Sequence, residues 1–486
     1  MADRKSHLLK SLTIFAALAL LLGLIIAVIV WKQPSDENPA LFRLPNSTRG
    51  AKCLDGSPPG YYFRRGRDSG RLKWHIHLPG GGWCVTVAEC AKRARTRYGS
   101  TKGYPETPPK YVSFEGMLSP NKSLNPSFHN WNLARLVYCD GGGYAGTRGR
   151  VNLSDGTLLG LNSAAPSSAV PSSVTSSKTA RLAAATDPIL EAIGPMESME
   201  SMETMESTES MESTESPEST SNESPASAIY LDGWNIVQAV LKDLHKRRGI
   251  GSATEILLTG SSAGGQAVAN LCDWLASSFP SVSVRCLIDA GFFLDTKDRF
   301  SRRTFRMLAQ NLTSLHQPLN PTCTHAANQS EQWKCFFLQH TLPNISTPVF
   351  LFQTPFDYAA AWIGNLLPFN YAHSLRCLRE ILYTQKSIAA TVRNKVWGEL
   401  RWSFKSACLK PERDSLFWTA LNLYEQLKTV LRQKTSIGVY IPVLFVHTCI
   451  ANTCWNEPWI NHTSLADVVG RWENAESQNA STVLVE

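Results

Sequence analysis

The residues with the clearest chemical pattern are Gly260-Ser261-Ser262-Ala263-Gly264, a G-x-S-x-G sequence between a short apolar run and a helical stretch. A serine hydroxyl becomes a usable nucleophile when a sharp strand-to-helix turn lifts it clear of the backbone. That turn needs small neighbours. The helix start beneath it also favours developing negative charge. Upstream, Gly80-Gly81-Gly82 follows the run WHIHL. A glycine run at the end of a strand lets backbone N–H groups approach a substrate carbonyl oxygen that a side chain would screen. Asp357 follows TPVFLFQ. From its setting alone it reads equally as an ordinary turn residue or as the acid that orients a catalytic base. Together these types describe acyl transfer through a serine ester, chemistry that needs no metal or organic cofactor. His75 and His77, on an early strand, read as structural.

The elements that would hold these residues alternate. Gly233 to Arg248 carries an apolar stripe at Ile236, Val237, Val240, Leu241 and Leu244, a helical period. Glu255 to Leu258 reads as a buried strand and Ala263 to Ser277 as a helix. Val282 to Ile288 and Pro348 to Phe352 are further strands, Leu416 to Leu431 a helix, and Ile437 to Phe445 a last strand. Short buried strands alternating with helices predict an α/β architecture, a mostly parallel sheet flanked by helices. In such sheets sites form beyond the carboxyl ends of the strands.

Outside this body the chain changes character. Leu12 to Trp31 is one uncharged apolar run preceded by Arg4, Lys5 and Lys10. Its length suits a bilayer-spanning helix, and the flanking charge suits a cytoplasmic start. The run is longer than a cleaved signal's core, so an uncleaved transmembrane signal-anchor is expected. This gives a cytoplasmic tail (1–11), a membrane span (12–31) and a stem (32–49), with the rest in the lumen of the secretory pathway or outside the cell. The alternative is a secreted chain. Twelve cysteines suit disulfides there. Sequons at Asn46, Asn121, Asn152, Asn311, Asn328, Asn344, Asn461 and Asn479 suit the same compartment. Residues 158–228 are rich in Ser, Ala and Pro, then repeat Met-Glu-Ser with period three. They read as a disordered insertion with no apolar face to bury. The body therefore comprises 50–157 and 229–475, followed by a tail (476–486). The formal net charge is +8, although Met196 to Pro225 holds nine Glu and no Lys or Arg. A basic body favours anionic glycans, or simply has a basic surface. No zinc-type cluster or nucleic-acid module accompanies it, so nucleic acid is not an expected partner.

Longer blocks carry a family resemblance. DGSPPGYYF (Asp55 to Phe63), HIHLPGGGWC (His75 to Cys84), NWNLARLVYCDG (Asn130 to Gly141), LTGSSAGG (Leu258 to Gly265) and TPVFLFQTPFD (Thr347 to Asp357) occur in this order. Together they resemble plant-type pectin acetylesterases and, more distantly, Notum, the secreted esterase that removes a lipid from Wnt proteins. The resemblance implies an α/β-hydrolase fold with a Ser-His-Asp triad. It puts the nucleophile at Ser262 and the acid at Asp357. The oxyanion donors fall on Gly81, Gly82, Trp83 and Ala263.

Three departures stand out. Pro79 occupies a position usually held by Glu. Gly142-Gly143-Tyr144 replaces a segment with small hydroxyl residues. Asn452 occupies the position of the catalytic histidine, three residues after Cys449. An amide cannot take the serine proton as imidazole does. Two histidines near in sequence could substitute, His447 and His462. His447 falls within the last strand region, away from Ser262. The sequon Asn461-His462-Thr463 argues that His462 is exposed. Three functions follow as expectations: a carbohydrate O-acetylesterase acting on acetylated pectin or a similar glycan, a catalytically impaired pseudo-esterase that binds glycan or protein, and a Notum-like deacylase of a lipidated protein.

Overall fold

The structure, a computed structural model, describes residues 38–45, 50–153, 227–364, 366, 410–434, 437–444, 446–460, 462–474 and 483–485. The apolar run Leu12 to Trp31 lies outside these residues, as does nearly all of the 158–228 stretch. Among the described residues, no helix is long and apolar enough to cross a membrane.

Thirteen strands are described. β1 (Ala40–Arg43), β2 (Gly60–Arg64), β3 (Lys73–Leu78), β4 (Asn132–Leu136), β5 (Gly149–Asn152) and β6 (Ala228–Leu231) precede the elbow. β7 (Glu255–Ser261) leads into it. β8 (Ser283–Asp289), β9 (Val349–Phe352), β10 (Ile437–Ile441), β11 (Pro458–Ile460), β12 (Thr463–Ser464) and β13 (Val483–Val485) follow. Nine form one sheet in the order β1-β2-β4-β3-β7-β8-β9-β10-β13. β2 is antiparallel to both its neighbours, and every pairing from β4 to β13 is parallel.

Side chains alternate across this sheet. On β7, Ile256 and Leu258 join one core with Ile76 and Leu78 of β3 and Val349 and Leu351 of β9. Leu257, with Leu287, Phe350, Phe352 and Tyr440, joins the core on the other face. The first core is covered by α2 (Gly233–Asp243), α3 (Ala263–Ser278) and α6 (Lys410–Gln433). The second is covered by α7 (Leu465–Glu473) through Leu465, Val468, Val469 and Trp472. The remaining helices are α1 (Val87–Arg93), α4 (Thr304–His316) and α5 (Tyr358–Ile363). With helices on both faces, the strands are buried apolar runs, as their sequence indicates.

Two segments outside the body of the sequence reading belong to the sheet. Ala40–Arg43, assigned to the stem, is the first strand of the sheet, its Ala40 paired with Phe63. Val483–Val485, assigned to the C-terminal tail, pairs with β10. Three or four residues at a sheet edge carry too short a pattern for periodicity to register. The last long strand is also shorter than expected. β10 ends at Ile441, so residues 442–444 and 446–447 lie beyond it outside any strand.

Disulfides join Cys53 to Cys139, Cys84 to Cys90, Cys272 to Cys286, Cys323 to Cys335 and Cys449 to Cys454. Cys377 and Cys408 lie outside the described residues.

Candidate active site

Because β3, β7, β8, β9 and β10 run parallel, their carboxyl ends open on one edge of the sheet. The turns and loops that follow β3, β7, β9 and β10 carry Gly80–Gly82, Ser262, Asp357 and His447 respectively, and Asp289 is the last residue of β8. This is the edge where open α/β sheets form their sites.

Ser262 lies between β7 and α3 with φ 56° and ψ −122°. That backbone is strained for a residue with a side chain, and it persists only where the surroundings enforce it. Here the Ser262 N–H donates to the Asp289 carbonyl at 2.8 Å, and the Ser262 carbonyl accepts the Gln266 N–H at 3.0 Å. α3 can begin so close to the sheet because its first turn is small. A Cβ on Gly264 would lie 1.9 Å from the Leu78 carbonyl oxygen. Ala263 opens α3, so its N–H belongs to the group with no intrahelical acceptor.

The glycine loop lies against the nucleophile. A Cβ on Gly80 would come 2.6 Å from the Ser262 Cβ and 3.3 Å from Oγ. Gly81 and Gly82 have φ of 141° and 63°, open to glycine but costly for other residues. Two tyrosines from the segment after β4 grip this loop. The Tyr144 hydroxyl donates to the Pro79 carbonyl at 3.0 Å, and the Tyr138 hydroxyl to the Gly82 carbonyl at 2.6 Å. Tyr138 in turn accepts the Gly143 N–H at 3.0 Å. Pro79 and the Gly142–Tyr144 segment, two of the sequence departures, thus meet in one contact. Trp83 follows the loop and packs edge-on against Phe293 and Phe336, both with centroids 5.1 Å away. Its buried indole N–H has no hydrogen-bond partner among the described residues.

Asp357 and His447 are brought together. His447 Nδ1 lies 2.7 Å from Asp357 Oδ2, and both side chains are buried. The other Asp357 oxygen accepts the Ala360 N–H at 2.8 Å, which caps α5. The Gln353 amide donates to Oδ2 at 3.4 Å. Thr354 donates to the Val446 carbonyl at 2.7 Å, which ties the loop of Asp357 to the loop of His447. The Tyr358 ring stands edge-on to the imidazole at 5.9 Å. His447 is in the loop past β10, not in the strand, because β10 stops early.

Asn452 does not reach this pair. Its amide donates to the Thr448 carbonyl and hydroxyl, both at 3.1 Å. His462 is exposed. Ser261, Asp289, Gln353 and Thr354 carry polar contacts of the site that motif reading missed. Each lies directly beside a motif or a strand end, which was the available signal. His75 and His77 share the Thr259 hydroxyl at 2.8 and 2.9 Å inside the sheet. Burial lowers the His75 imidazole to about 3 and His77 well below its ordinary value. His316 lies against the Cys84–Cys90 sulfurs. Sulfurs joined in a disulfide are not thiolate ligands, so this cluster is not a metal site.

A largely parallel nine-stranded sheet with a strained serine at the strand-to-helix elbow defines an α/β-hydrolase-like protein. The profile of the Pectinacetylesterase family matches residues 33–158 and 214–483, and the chain belongs to that family. It is 31% identical over 454 residues to pectin acetylesterase 5 of Arabidopsis thaliana, covering 90% of this chain and 81% of that one. It is 25% identical over 402 residues to the palmitoleoyl-protein carboxylesterase Notum of Homo sapiens, covering 78% of this chain and 62% of that one. The solved structure of the Wnt deacylase Notum from Drosophila shares the fold, with a TM-score of 0.61 at 21% identity over 92% of this chain and 96% of that chain.

Proposed function

We propose that this protein is a serine carboxylic-ester hydrolase that removes acetyl groups from pectin-like or other glycans, with Ser262 as nucleophile, His447 as base and Asp357 as its orienting acid. The observation that carries the reading is the 2.7 Å contact between His447 Nδ1 and Asp357, on the sheet edge that carries the strained Ser262. With Nδ1 engaged by the carboxylate, Nε2 is left to take the serine proton. Ser262 Oγ attacks the acetyl carbonyl, and the amides of the Gly81–Trp83 loop and of Ala263 receive the charge on its oxygen. The sugar alcohol leaves with the proton from His447. Water then attacks the acetyl-enzyme by the reverse proton path and releases acetate. Trp83, Phe293 and Phe336 pack together beside the oxyanion loop, and the acetyl reading rests on the family resemblance to pectin acetylesterases. The body is proposed to lie in the secretory lumen or outside the cell, anchored by Leu12 to Trp31 as a type II protein. Five disulfides and exposed sequon asparagines at 121, 311, 328 and 344 support that placement.

Esterase assays test the assignment. Wild type should cleave an aryl acetate in preference to an aryl octanoate, and a serine-directed phosphonate should label Ser262. His447→Ala should lower kcat by about 10⁶-fold and slow labelling, while Asn452→Ala should leave both unchanged. A folded His447→Ala variant with wild-type kcat overturns the assignment of the base. A wild type that neither turns over nor labels overturns the enzyme reading and leaves a glycan- or protein-binding relative.

A further inference from the structure

Asp289 ends β8 with no exposed surface and joins two parts of the site that are far apart in sequence. Its Oδ2 accepts the Ser261 hydroxyl at 2.7 Å, one residue before the nucleophile. The same carboxylate accepts the Cys449 N–H, at 3.1 Å from Oδ1 and 3.2 Å from Oδ2, and the Ile450 N–H at 3.3 Å. These amides follow His447 by two and three residues. The Asp289 backbone carbonyl also takes the Ser262 N–H.

Burying a carboxylate is costly unless its hydrogen bonds are made. All of these are made to the nucleophile elbow and to the base loop. We propose that Asp289 is a positioning residue whose carboxylate locks the Ser262 elbow to the loop carrying His447 and so fixes the relation of nucleophile to base. The proposal rests on His447 being the base. Burial raises the Asp289 carboxyl to about 7 against the downward pull of its bonds from Ser261 and from the Cys449 and Ile450 amides and of the charge of His447. From β7 it is faced by Ser261, and from the loop after β10 by His447 and these two amides. Asp289 therefore takes up its proton as pH falls through about 7, and its hold on Ser261 and the two amides weakens there.

Asp289→Asn keeps the shape and one acceptor oxygen but removes the charge. Its NH₂ group cannot accept from Ser261. Ser261→Ala removes the elbow side of the tie alone. Both should lower kcat with KM changed by less than about 2-fold. A misplaced base costs up to about 10²-fold, so Asp289→Asn should approach that and Ser261→Ala should lose less. The acid limb of kcat should become shallower in Asp289→Asn, because that variant lacks the Asp289 ionisation. If His447→Ala is inactive while folded Asp289→Asn and Ser261→Ala retain wild-type kcat and acid limb, the positioning role is wrong and the base assignment stands. If Asp289→Asn does not fold, Ser261→Ala decides alone, and an unchanged kcat overturns the proposal. Activity that survives His447→Ala removes the base assignment and this inference with it.

Discussion

At the scale of single residues, the oxyanion loop depends on two phenol hydroxyls. Tyr144 holds the Pro79 carbonyl and Tyr138 the Gly82 carbonyl, so the peptide planes between them are fixed before substrate arrives. Electrostatic stabilisation of an oxyanion relies on donors that need no reorganisation. Tyr144→Phe removes one oxygen and leaves the ring in place. A single neutral hydrogen bond is worth about 1 kcal/mol, so kcat should fall by roughly 5-fold with little change in KM, measured on the aryl acetate. An equal rise in KM with unchanged kcat would show that the hydroxyl serves ground-state binding. The position of Ser262 was legible because an elbow needs a local pattern of small residues that sequence displays. The position of Asp357 was legible as a strand-end residue. The partner of Asp357 was not, because no local pattern marks which histidine a carboxylate will meet. The answer turned on where β10 stops, and an imidazole two residues before Cys449 took the contact that a residue three after it could have made.

At the scale of elements, β3, β7 and α3 must pack at very short range. Gly264→Ala would drive a methyl into the Leu78 backbone carbonyl, which cannot turn aside as a side chain could. Overpacking typically costs about 1–3 kcal/mol, and a lower Tm in thermal unfolding is expected, with activity lost even where the chain folds. The same strands carry a pH dependence. His75 and His77 are held neutral, with folded values below the ordinary 6.5. Below 6.5 the unfolded chain takes up protons that the folded imidazoles refuse. Stability should therefore fall as pH drops from 6.5 toward 3, and this pair adds no pH dependence above 6.5. His77→Gln should flatten that slope in a series of Tm measurements. An unchanged slope would assign the acid sensitivity to other groups. The central strands were legible as short apolar runs such as ILL, VFLF and IGVYI, and α2, α3 and α6 as long helical stretches. β1, β2, β4 and α1 were not assigned: ALFR, GYYFR and NLARL each place a charged residue in or at the end of four or five residues, which breaks the apolar run, and α1 is only seven residues long.

At the scale of the whole molecule, the body is interrupted between β5 and β6 yet closes around the interruption. The two strands are antiparallel, with Asn152 opposite Ala228, and the Leu153 N–H donates to the Ser227 carbonyl at 2.9 Å. The chain leaves the body and returns to it at one point. The hairpin's own packing, Val151, Ile229 and Leu231 against Leu54 and Leu315, lies within the described residues. The cost of closing a loop grows only with the logarithm of its length, so residues 154–226 impose little by their number. Replacing them with a short Gly-Ser turn should leave kcat on an aryl acetate unchanged and Tm equal or slightly higher, because a shorter loop costs less to close. The measurement is a thermal melt and an assay on the deleted chain. A large fall in Tm would mean that the removed residues cover part of the body. A fall in kcat at constant Tm would mean that they reach the substrate. Either result would turn an interruption of the sequence into a working part of the protein.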